Sequence, residues 1–234
     1  MKLLLLPGMD GTGALFSDLK NAFSSDLTPI IIKYPSNQYL SFYELAGFVK
    51  ENFPIEERFI IIAESFSVPI AIICAAENPV NLEALILCSG FATSPIKGLK
   101  RYLGWMFAPF LFRLPLPNIL LNFCLIGENA SSMLSLNVKN IVSSIQKNIL
   151  ISRLKNILNC DVRKEIGRIK IPMLYIRAKN DRLINKSCYE EIKTVNSCVE
   201  LLELDGPHLI LQTEPEKSAK HIMEFIKNLV AVQT

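Results

Sequence analysis

The sequence predicts an α/β fold: a mostly parallel sheet of about six strands, covered by helices on both faces. Short, continuous apolar runs alternate along the chain with amphipathic stretches of helical spacing. A strand of a parallel sheet is buried on both faces, so it reads as an unbroken apolar run. Half of the 234 residues are hydrophobic and 20% are charged, which is enough material for one large core. We therefore expect residues 1–234 to form a single domain.

The first part of the chain alternates regularly between the two kinds of element. Apolar runs predict strands at residues 3–6, 29–32, 59–63 and 82–88. Amphipathic stretches predict helices at residues 14–23, 41–53 and 67–77. Ser41 is expected to cap the second of these helices, because Glu44 follows three residues later and completes a capping box.

The last part of the chain resumes the same alternation after a long interruption. Strands are predicted at residues 173–177 and 199–204, and helices at 189–195 and 215–230. Residues 93–161 contain several prolines and an amphipathic region at 138–158, but no strand-like run. We interpret 93–161 as a helical cap inserted after the fourth strand. Its apolar stretch 102–126 is long, but three prolines interrupt it, so a cap is favoured over contact with a membrane.

Composition and charge exclude several classes of function. A net charge of +3 is too small for the dense basic surface of a nucleic-acid-binding protein. The six cysteines form no C-x-x-C pair and have no histidine at metal spacing, so we expect reduced core thiols, no metal and no other cofactor. The apolar run that follows Met1 is too short for a signal peptide, which predicts a cytoplasmic protein.

Ser65 is the leading candidate for a nucleophile. An apolar strand runs directly into Ala-Glu-Ser-Phe-Ser at residues 63–67, and a helix is predicted directly after it. The G-x-S-x-G motif at such a strand–turn–helix junction exposes a serine hydroxyl. Here Ala63 and Ser67 replace the two glycines, so the motif is degenerate. Read alone, it fits a serine that only caps a helix.

A serine needs a base and the base needs an acid, and both can be found later in the chain. His208 follows the last strand in a Gly-Pro-His loop, whereas His221, the other histidine, lies in the last helix. Asp181 lies in the loop after the fifth strand and is our candidate for the acid. Asp181 could instead cap the next helix, and Asp205 is a rival acid whose position before Gly-Pro favours a turn.

Two backbone N–H groups are candidates for an oxyanion hole, the pair of donors that would hold a negatively charged oxygen. One belongs to Phe66, the residue after the nucleophile, and the other to Met9 in the glycine-rich loop 7–13. That loop could also be a phosphate-binding turn. It lacks the spacing of a dinucleotide-binding or P-loop motif, which makes this alternative weak.

The chain resembles the α/β-hydrolase superfamily over nearly its whole length. The matching pieces are Leu-Pro-Gly-Met-Asp-Gly-Thr-Gly, Ala-Glu-Ser-Phe-Ser, Lys-Asn-Asp-Arg-Leu-Ile and Gly-Pro-His, in the serine–aspartate–histidine order of that superfamily. The resemblance implies a three-layer fold with a cap, a catalytic triad of Ser65, Asp181 and His208, and an oxyanion hole at Met9 and Phe66. Pro7 stands where many members have histidine, and the usual N-terminal hairpin is missing, which predicts the shorter sheet.

Within the superfamily, the size and capped layout are similar to small carboxylesterases that hydrolyse pimeloyl-acyl-carrier-protein methyl ester in biotin synthesis. This implies a serine carboxylesterase acting on an apolar acyl ester, either a small molecule or an ester bound to a carrier protein. Apolar cap residues are expected to line the acyl site, with these among them: Trp105, Phe107, Phe110, Phe112 and Phe123.

An acidic acyl carrier protein would require a basic rim on the cap. Eight cap residues are available for it: Lys97, Lys100, Arg101, Arg113, Lys139, Lys147, Arg153 and Lys155. Ordinary solvated helix charge explains any one of them equally well. Two other functions remain open: an acyltransferase or thioesterase with the same triad, and a non-catalytic ligand-binding protein of hydrolase fold.

Overall fold

A computed structural model describes residues 1–98, 122–128 and 130–233 of the chain. Six strands form one sheet in the order β2-β1-β3-β4-β5-β6, and every neighbouring pair is parallel. The predicted sheet of about six strands without an N-terminal hairpin is therefore confirmed. The strands are β1 Lys2–Leu6, β2 Thr28–Ile31, β3 Phe59–Glu64, β4 Leu82–Cys88, β5 Met173–Ala178 and β6 Val199–Leu204.

Helices cover both faces of this sheet. Those of the described residues are α1 Ser17–Ala22, α2 Phe42–Lys50, α3 Val68–Ala75, α4 Ser132–Ser144, α5 Lys147–Leu158, α6 Arg163–Ile166, α7 Lys186–Val195, α8 Ile210–Thr213 and α9 Pro215–Gln233. Ser41 and Glu44 form the predicted capping box at the start of α2. The helix expected at residues 14–23 begins instead as a 3-10 turn at Ala14–Phe16 and becomes α-helical at Ser17.

The core has two parts, one on each face of the sheet. Leu4 and Ile61 belong to the first part, whereas Leu3 and Ile60 belong to the second, because successive side chains of a strand point to opposite faces. All four side chains are fully buried. The central strands β1 and β3 are therefore buried at almost every position, which is why their sequences show unbroken apolar runs, whereas the edge strand β6 has exposed glutamates at 200 and 203.

The order of the strands determines where a site can form. From β1 the chain crosses to β2 on one side of β1, and it then returns to β3 on the other side. The loops that follow β1 and β3 therefore diverge at the carboxyl ends of two adjacent strands. Such a reversal of strand order opens a crevice, and ligands of open α/β sheets bind there.

Within the insertion after β4, the structure describes residues 93–98, 122–128 and 130–161. Helices α4 and α5 divide the amphipathic region 138–158 between them, because Ile145 and Gln146 have extended backbones. Thr93 and Asp161 form an isolated antiparallel bridge, so the two ends of the insertion lie side by side. Four predicted cap residues, Trp105, Phe107, Phe110 and Phe112, lie outside the described residues, and Phe123 is 43% exposed.

Candidate active site

Ser65 lies in the sharp turn between β3 and α3. It begins a 3-10 turn, Ser65–Ser67, and its φ of 49° is in the left-handed region that non-glycine residues rarely adopt. That conformation costs about 1–2 kcal/mol, so the surrounding structure must hold it in place. Ser65 is partly exposed, while its neighbours on both sides are buried. The turn therefore presents one hydroxyl at the carboxyl edge of the sheet.

His208 and Asp181 extend a chain of hydrogen bonds from this hydroxyl. His208 Nε2 lies 2.9 Å from Ser65 Oγ, and His208 Nδ1 lies 2.7 Å from Asp181 Oδ2. Both side chains are nearly buried, with 3% and 2% of their surfaces exposed. The other Asp181 oxygen accepts from the backbone N–H groups of Leu183 and Ile184 at 2.8 and 2.9 Å. The loops after β3, β5 and β6 thus bring together the three predicted side chains.

The two rival side chains lie elsewhere. Asp205 is bonded to Lys179 at 3.2 Å rather than to His208, and 75% of its side chain is exposed. His221 lies on α9 and contacts Glu224 at 3.0 Å on the same helix. Neither residue is part of the hydrogen-bonded chain that includes Ser65.

The loop after β1 reaches the same edge of the sheet. The Met9 N–H donates to no other described residue, so it is free to bind a ligand. The Phe66 N–H belongs to the first turn of a helix, where backbone donors have no partner within the helix. Phe66 itself is fully buried and packs its ring against Phe42, with the ring centroids 5.0 Å apart. Phe66 therefore lies in the same turn as Ser65, and Met9 lies in the loop after β1, to which Ser67 is bonded at Pro7.

Ser67 explains one departure from the glycine motif. It is fully buried, and its hydroxyl donates to the carbonyl oxygen of Pro7 and accepts from the Tyr34 hydroxyl at 2.5 Å. Glycine could not form this bridge between the turn at Ser65 and the loop after β1. The sequence showed only a small residue at this position and gave no sign of its partners.

Arg153 corrects one prediction. Its side chain was expected on a basic rim of the cap, but it is 4% exposed and reaches from α5 to the loop after β1. A buried guanidinium is costly unless its donors are used. Here they bond to the backbone oxygens of Met9, Asp10 and Pro35, so Arg153 is unavailable for a surface rim.

Glu64, the residue before Ser65, is a buried acid. It is 1% exposed, and one of its oxygens accepts from Gln212 Nε2 at 3.2 Å, while the other has no hydrogen-bond partner. Burial and the nearby Asp10 carboxylate raise the pKa of the Glu64 carboxyl to about 8, although the bond from Gln212 opposes this. Gln212 belongs to α8, which follows His208, so this contact links the serine turn to the histidine loop.

The insertion also contacts the loops of the acid and the base. Arg182, next to Asp181, donates to the Phe123 carbonyl oxygen at 2.8 Å and lies over the Phe123 ring, 3.5 Å from its centroid. Leu209, next to His208, donates its backbone N–H to the Leu125 carbonyl oxygen at 2.9 Å. Residues 123–125 are therefore fixed to the two loops that carry His208 and Asp181.

No metal-binding cluster was found in the parts of the chain described here. Across residues 1–98, 122–128 and 130–233, no three His, Cys, Asp or Glu side chains are grouped so that they could hold an ion. In the same ranges, no helix combines the length and the apolarity needed to cross a membrane.

Solved structures match the chain over almost its whole length, whereas no protein-family model and no curated protein matches it. The enol-lactonase from Burkholderia xenovorans LB400 is 16% identical with a TM-score of 0.80, covering 97% of this chain and 91% of that one. An esterase from Exiguobacterium antarcticum is 15% identical with a TM-score of 0.82, covering 97% and 92%. A bromoperoxidase from Bacillus anthracis is 12% identical with a TM-score of 0.79, covering 97% and 91%.

These matches define the class of fold. The chain has the α/β-hydrolase fold, with a parallel sheet whose carboxyl edge carries Ser65, His208 and Asp181. The matched proteins bear the names of different activities, and one fold can support many reactions. The reaction of this chain must therefore be argued from its own site.

Proposed function

We propose that this chain is a serine hydrolase that cleaves carboxylic esters through an acyl-enzyme intermediate. The observation that carries the proposal is the chain of two hydrogen bonds from Ser65 Oγ through His208 to Asp181, at 2.9 and 2.7 Å. A serine becomes nucleophilic when an adjacent base accepts its proton and an acid orients that base. The strained backbone of Ser65 adds support, because strain of this kind is common at functional turns.

The geometry supports a two-step reaction. The His208 Nδ1–H group donates a hydrogen bond to the Asp181 carboxylate, which leaves Nε2 free to accept the proton of Ser65 as the serine oxygen attacks the ester carbonyl. The protonated His208 then gives that proton to the departing alcohol, and an ester of Ser65 remains. Water, deprotonated by His208, attacks this ester. His208 then returns that proton to the departing Ser65 oxygen, which releases the carboxylic acid and restores the serine.

The oxyanion formed in each step requires hydrogen-bond donors. We assign this role to the backbone N–H groups of Met9, in the loop after β1, and of Phe66, in the turn that Ser65 begins. Such donors act on charge that develops only in the transition state, so they raise kcat more than they tighten substrate binding.

The acyl group is proposed to be apolar, and the best support is the composition of the insertion. Phe123 exposes 43% of its surface beside the loops of Asp181 and His208, and the neighbouring cap sequence is rich in phenylalanine and leucine. Two of the matched structures are named as an esterase and an enol-lactonase. A pimeloyl-carrier-protein methyl ester is one specific substrate to test, with exposed insertion lysines such as Lys97 and Lys139 facing an acidic carrier.

The first test replaces the nucleophile. Ser65→Ala is expected to lower turnover of p-nitrophenyl esters by at least about 10⁴-fold and to abolish covalent labelling by a fluorophosphonate. Ser17→Ala, which changes an exposed helical serine, is the matched control and should leave both signals intact. Undiminished turnover by purified Ser65→Ala would contradict the proposed function.

The same assay distinguishes the two candidate acids. Asp181→Asn should lower kcat by roughly 10⁴-fold, because an amide favours the wrong histidine tautomer. Asp205→Asn should change kcat little, since Asp205 is exposed and bonded to Lys179. The reverse result would assign the acid to Asp205.

Product analysis identifies the acyl acceptor and the substrate. Esters of increasing acyl length, offered free and bound to an acyl carrier protein, should give the carboxylic acid, with kcat/KM rising with apolar length. An acyl ester of an added alcohol as the main product would indicate an acyltransferase. A single slow turnover with tightly retained product would indicate a ligand-binding protein.

A further inference from the structure

Arg153 donates hydrogen bonds to backbone carbonyl groups of two loops, the one after β1 and the one after β2. Its Nη1 donates to the carbonyl oxygens of Met9 and Asp10 at 2.9 and 2.7 Å, and its Nη2 donates to that of Pro35 at 3.3 Å. A guanidinium is planar and carries its donors in a rigid fork. Arg153 can therefore fix the relative orientation of several peptide groups at once.

Three further carbonyl groups of the loop after β1 are bonded as well. Gly8 O accepts from the Gly11 N–H at 3.0 Å, Gly11 O accepts from the Tyr34 N–H at 2.8 Å, and Pro7 O accepts from the Ser67 hydroxyl. The N–H and C=O groups of one planar trans peptide point in opposite directions. The bond on Gly8 O therefore turns the Met9 N–H outward, away from the turn.

Arg153 and the loop also fit each other sterically. Gly11 has a φ of +70°, and a Cβ at this position would lie 2.5 Å from Arg153 Nη1. The guanidinium carbon lies 6.0 Å from the centre of the Phe66 ring and 5.9 Å from that of Tyr34, within range of a cation–π contact. Arg153 therefore contacts both residues whose N–H groups are assigned to the oxyanion hole.

We propose that Arg153 is a positioning residue of the oxyanion hole: from the insertion, it holds the turn at residues 8–11 so that the Met9 N–H faces the substrate carbonyl oxygen. This inference rests on the proposed function. In this role, helix α5 helps to stabilise the transition state through Arg153. This is separate from any contribution of the insertion to binding the acyl group. Arg153 itself contacts no reacting atom in this role.

The test compares Arg153→Ala and Arg153→Lys with Lys170→Ala, which removes an exposed cation from the segment between α6 and β5. Misplacing one oxyanion donor should lower the kcat of Arg153→Ala by roughly 10²-fold. KM should change by less than about threefold, because the lost interaction belongs to the transition state. Arg153→Lys should recover part of the loss, since its ammonium reaches some of the same carbonyl groups, and Lys170→Ala should match the wild type.

Chemical rescue separates positioning from a general loss of structure. Millimolar methylguanidinium should raise the kcat of Arg153→Ala at least about tenfold in a saturable way and should not affect Lys170→Ala. Hydrogen exchange should show faster exchange of the Gly11 and Tyr34 amides in Arg153→Ala, because their acceptors belong to the loop. Both readouts are independent of the melting temperature, which is measured alongside.

Two results would overturn the inference: an unchanged kcat in Arg153→Ala, or a fall in kcat that neither Arg153→Lys nor methylguanidinium reverses. A wild-type chain without any Ser65-dependent turnover would contradict the proposed function instead. In that case the exchange measurement would still decide whether Arg153 orders residues 8–11.

Discussion

Two serines of the same turn have different tasks. Ser65 presents its hydroxyl to His208 at 2.9 Å, whereas Ser67 is fully buried and joins Pro7 to Tyr34. The first hydroxyl faces the site and the second fixes the framework around it. A buried hydroxyl with both partners in place contributes about 1 kcal/mol, and the loss of it would leave two buried polar groups unpaired.

Glu64 predicts a dependence of stability on pH. Its pKa is about 8 in the folded chain, against an ordinary value of 4.5, so the folded state retains a proton that the unfolded state loses. Stability from this group is therefore fully present below about pH 4.5 and is lost as the pH rises towards 8. Glu64→Gln should raise the free energy of unfolding by about 2–4 kcal/mol at pH 8 and by much less at pH 5.

Urea unfolding at the two pH values measures this effect. Glu56→Gln, an exposed carboxylate nearby in the chain, is the control and should change stability little at either pH. An equal gain for Glu64→Gln at both pH values would contradict the raised pKa.

At the scale of single residues, the sequence indicated which side chains come together at the site but not how deeply the charged ones are buried. Ser65, Asp181 and His208 could be predicted because their residue types, order and positions after strands restrict the choices. Arg153 and Glu64 could not, because a charged side chain in a helix or next to a serine looks the same whether it is buried or solvated. The burial of such a side chain depends on contacts with residues that are distant in the sequence, and a local sequence pattern does not show those contacts.

At the scale of elements, the strands were the most predictable parts of the chain. β4 and β6 have the predicted bounds, β1, β3 and β5 are one residue longer at one end, and β2 is shifted by one residue towards the N-terminus. Strands of a parallel sheet leave a clear apolar signal. The helix ends were less regular. The 3-10 turns before α1 and α3 depend on the geometry of the preceding loops. A periodic apolar pattern in the sequence does not indicate that geometry.

Two glycines in different elements predict opposite effects on stability. Gly90 follows β4, and a Cβ there would lie 2.1 Å from Val68 at the start of α3. Gly90→Ala should therefore destabilise the fold by roughly 1–3 kcal/mol or more through overpacking. Gly47 lies inside α2 with nothing within 4 Å of its Cβ position, so Gly47→Ala should stabilise it by about 0.5–1 kcal/mol.

Urea unfolding of both variants checks this pair, with each serving as the control for the other. A loss of stability in Gly47→Ala would contradict the open space beside α2, and no loss in Gly90→Ala would show that α3 packs more loosely against the residues after β4 than the structure shows. The result matters for function, because α3 carries the turn at Ser65 at its start.

At the scale of the whole molecule, the core protects most of the thiols. All six cysteines are free; Cys198 is exposed and Cys124 is half-buried, whereas Cys74, Cys88, Cys160 and Cys188 are buried. Burial raises the pKa of the Cys74 thiol to about 12 and that of Cys188 to about 11, and it raises those of Cys88 and Cys160 as well. A thiol needs to ionise to react, so the folded core should keep these four unreactive.

Ellman's reagent measures this protection. The native chain should show one fast thiol, a second that reacts more slowly, and four that react only after unfolding in urea. Cys198→Ser should remove the fast phase alone. Rapid reaction of more than two thiols under native conditions would indicate that the core opens far more readily than its packing implies.

The bridge between Thr93 and Asp161 has a consequence for how this architecture can be altered. Because the two ends of the insertion are adjacent, a shorter or longer segment can join them without stretching the sheet, and the entropic cost of a longer loop grows slowly. Grafting a foreign cap between these residues is therefore geometrically simple. If Arg153 acts as proposed, a graft must also carry a guanidinium at the matching depth, or the chimera will fold and remain a poor catalyst.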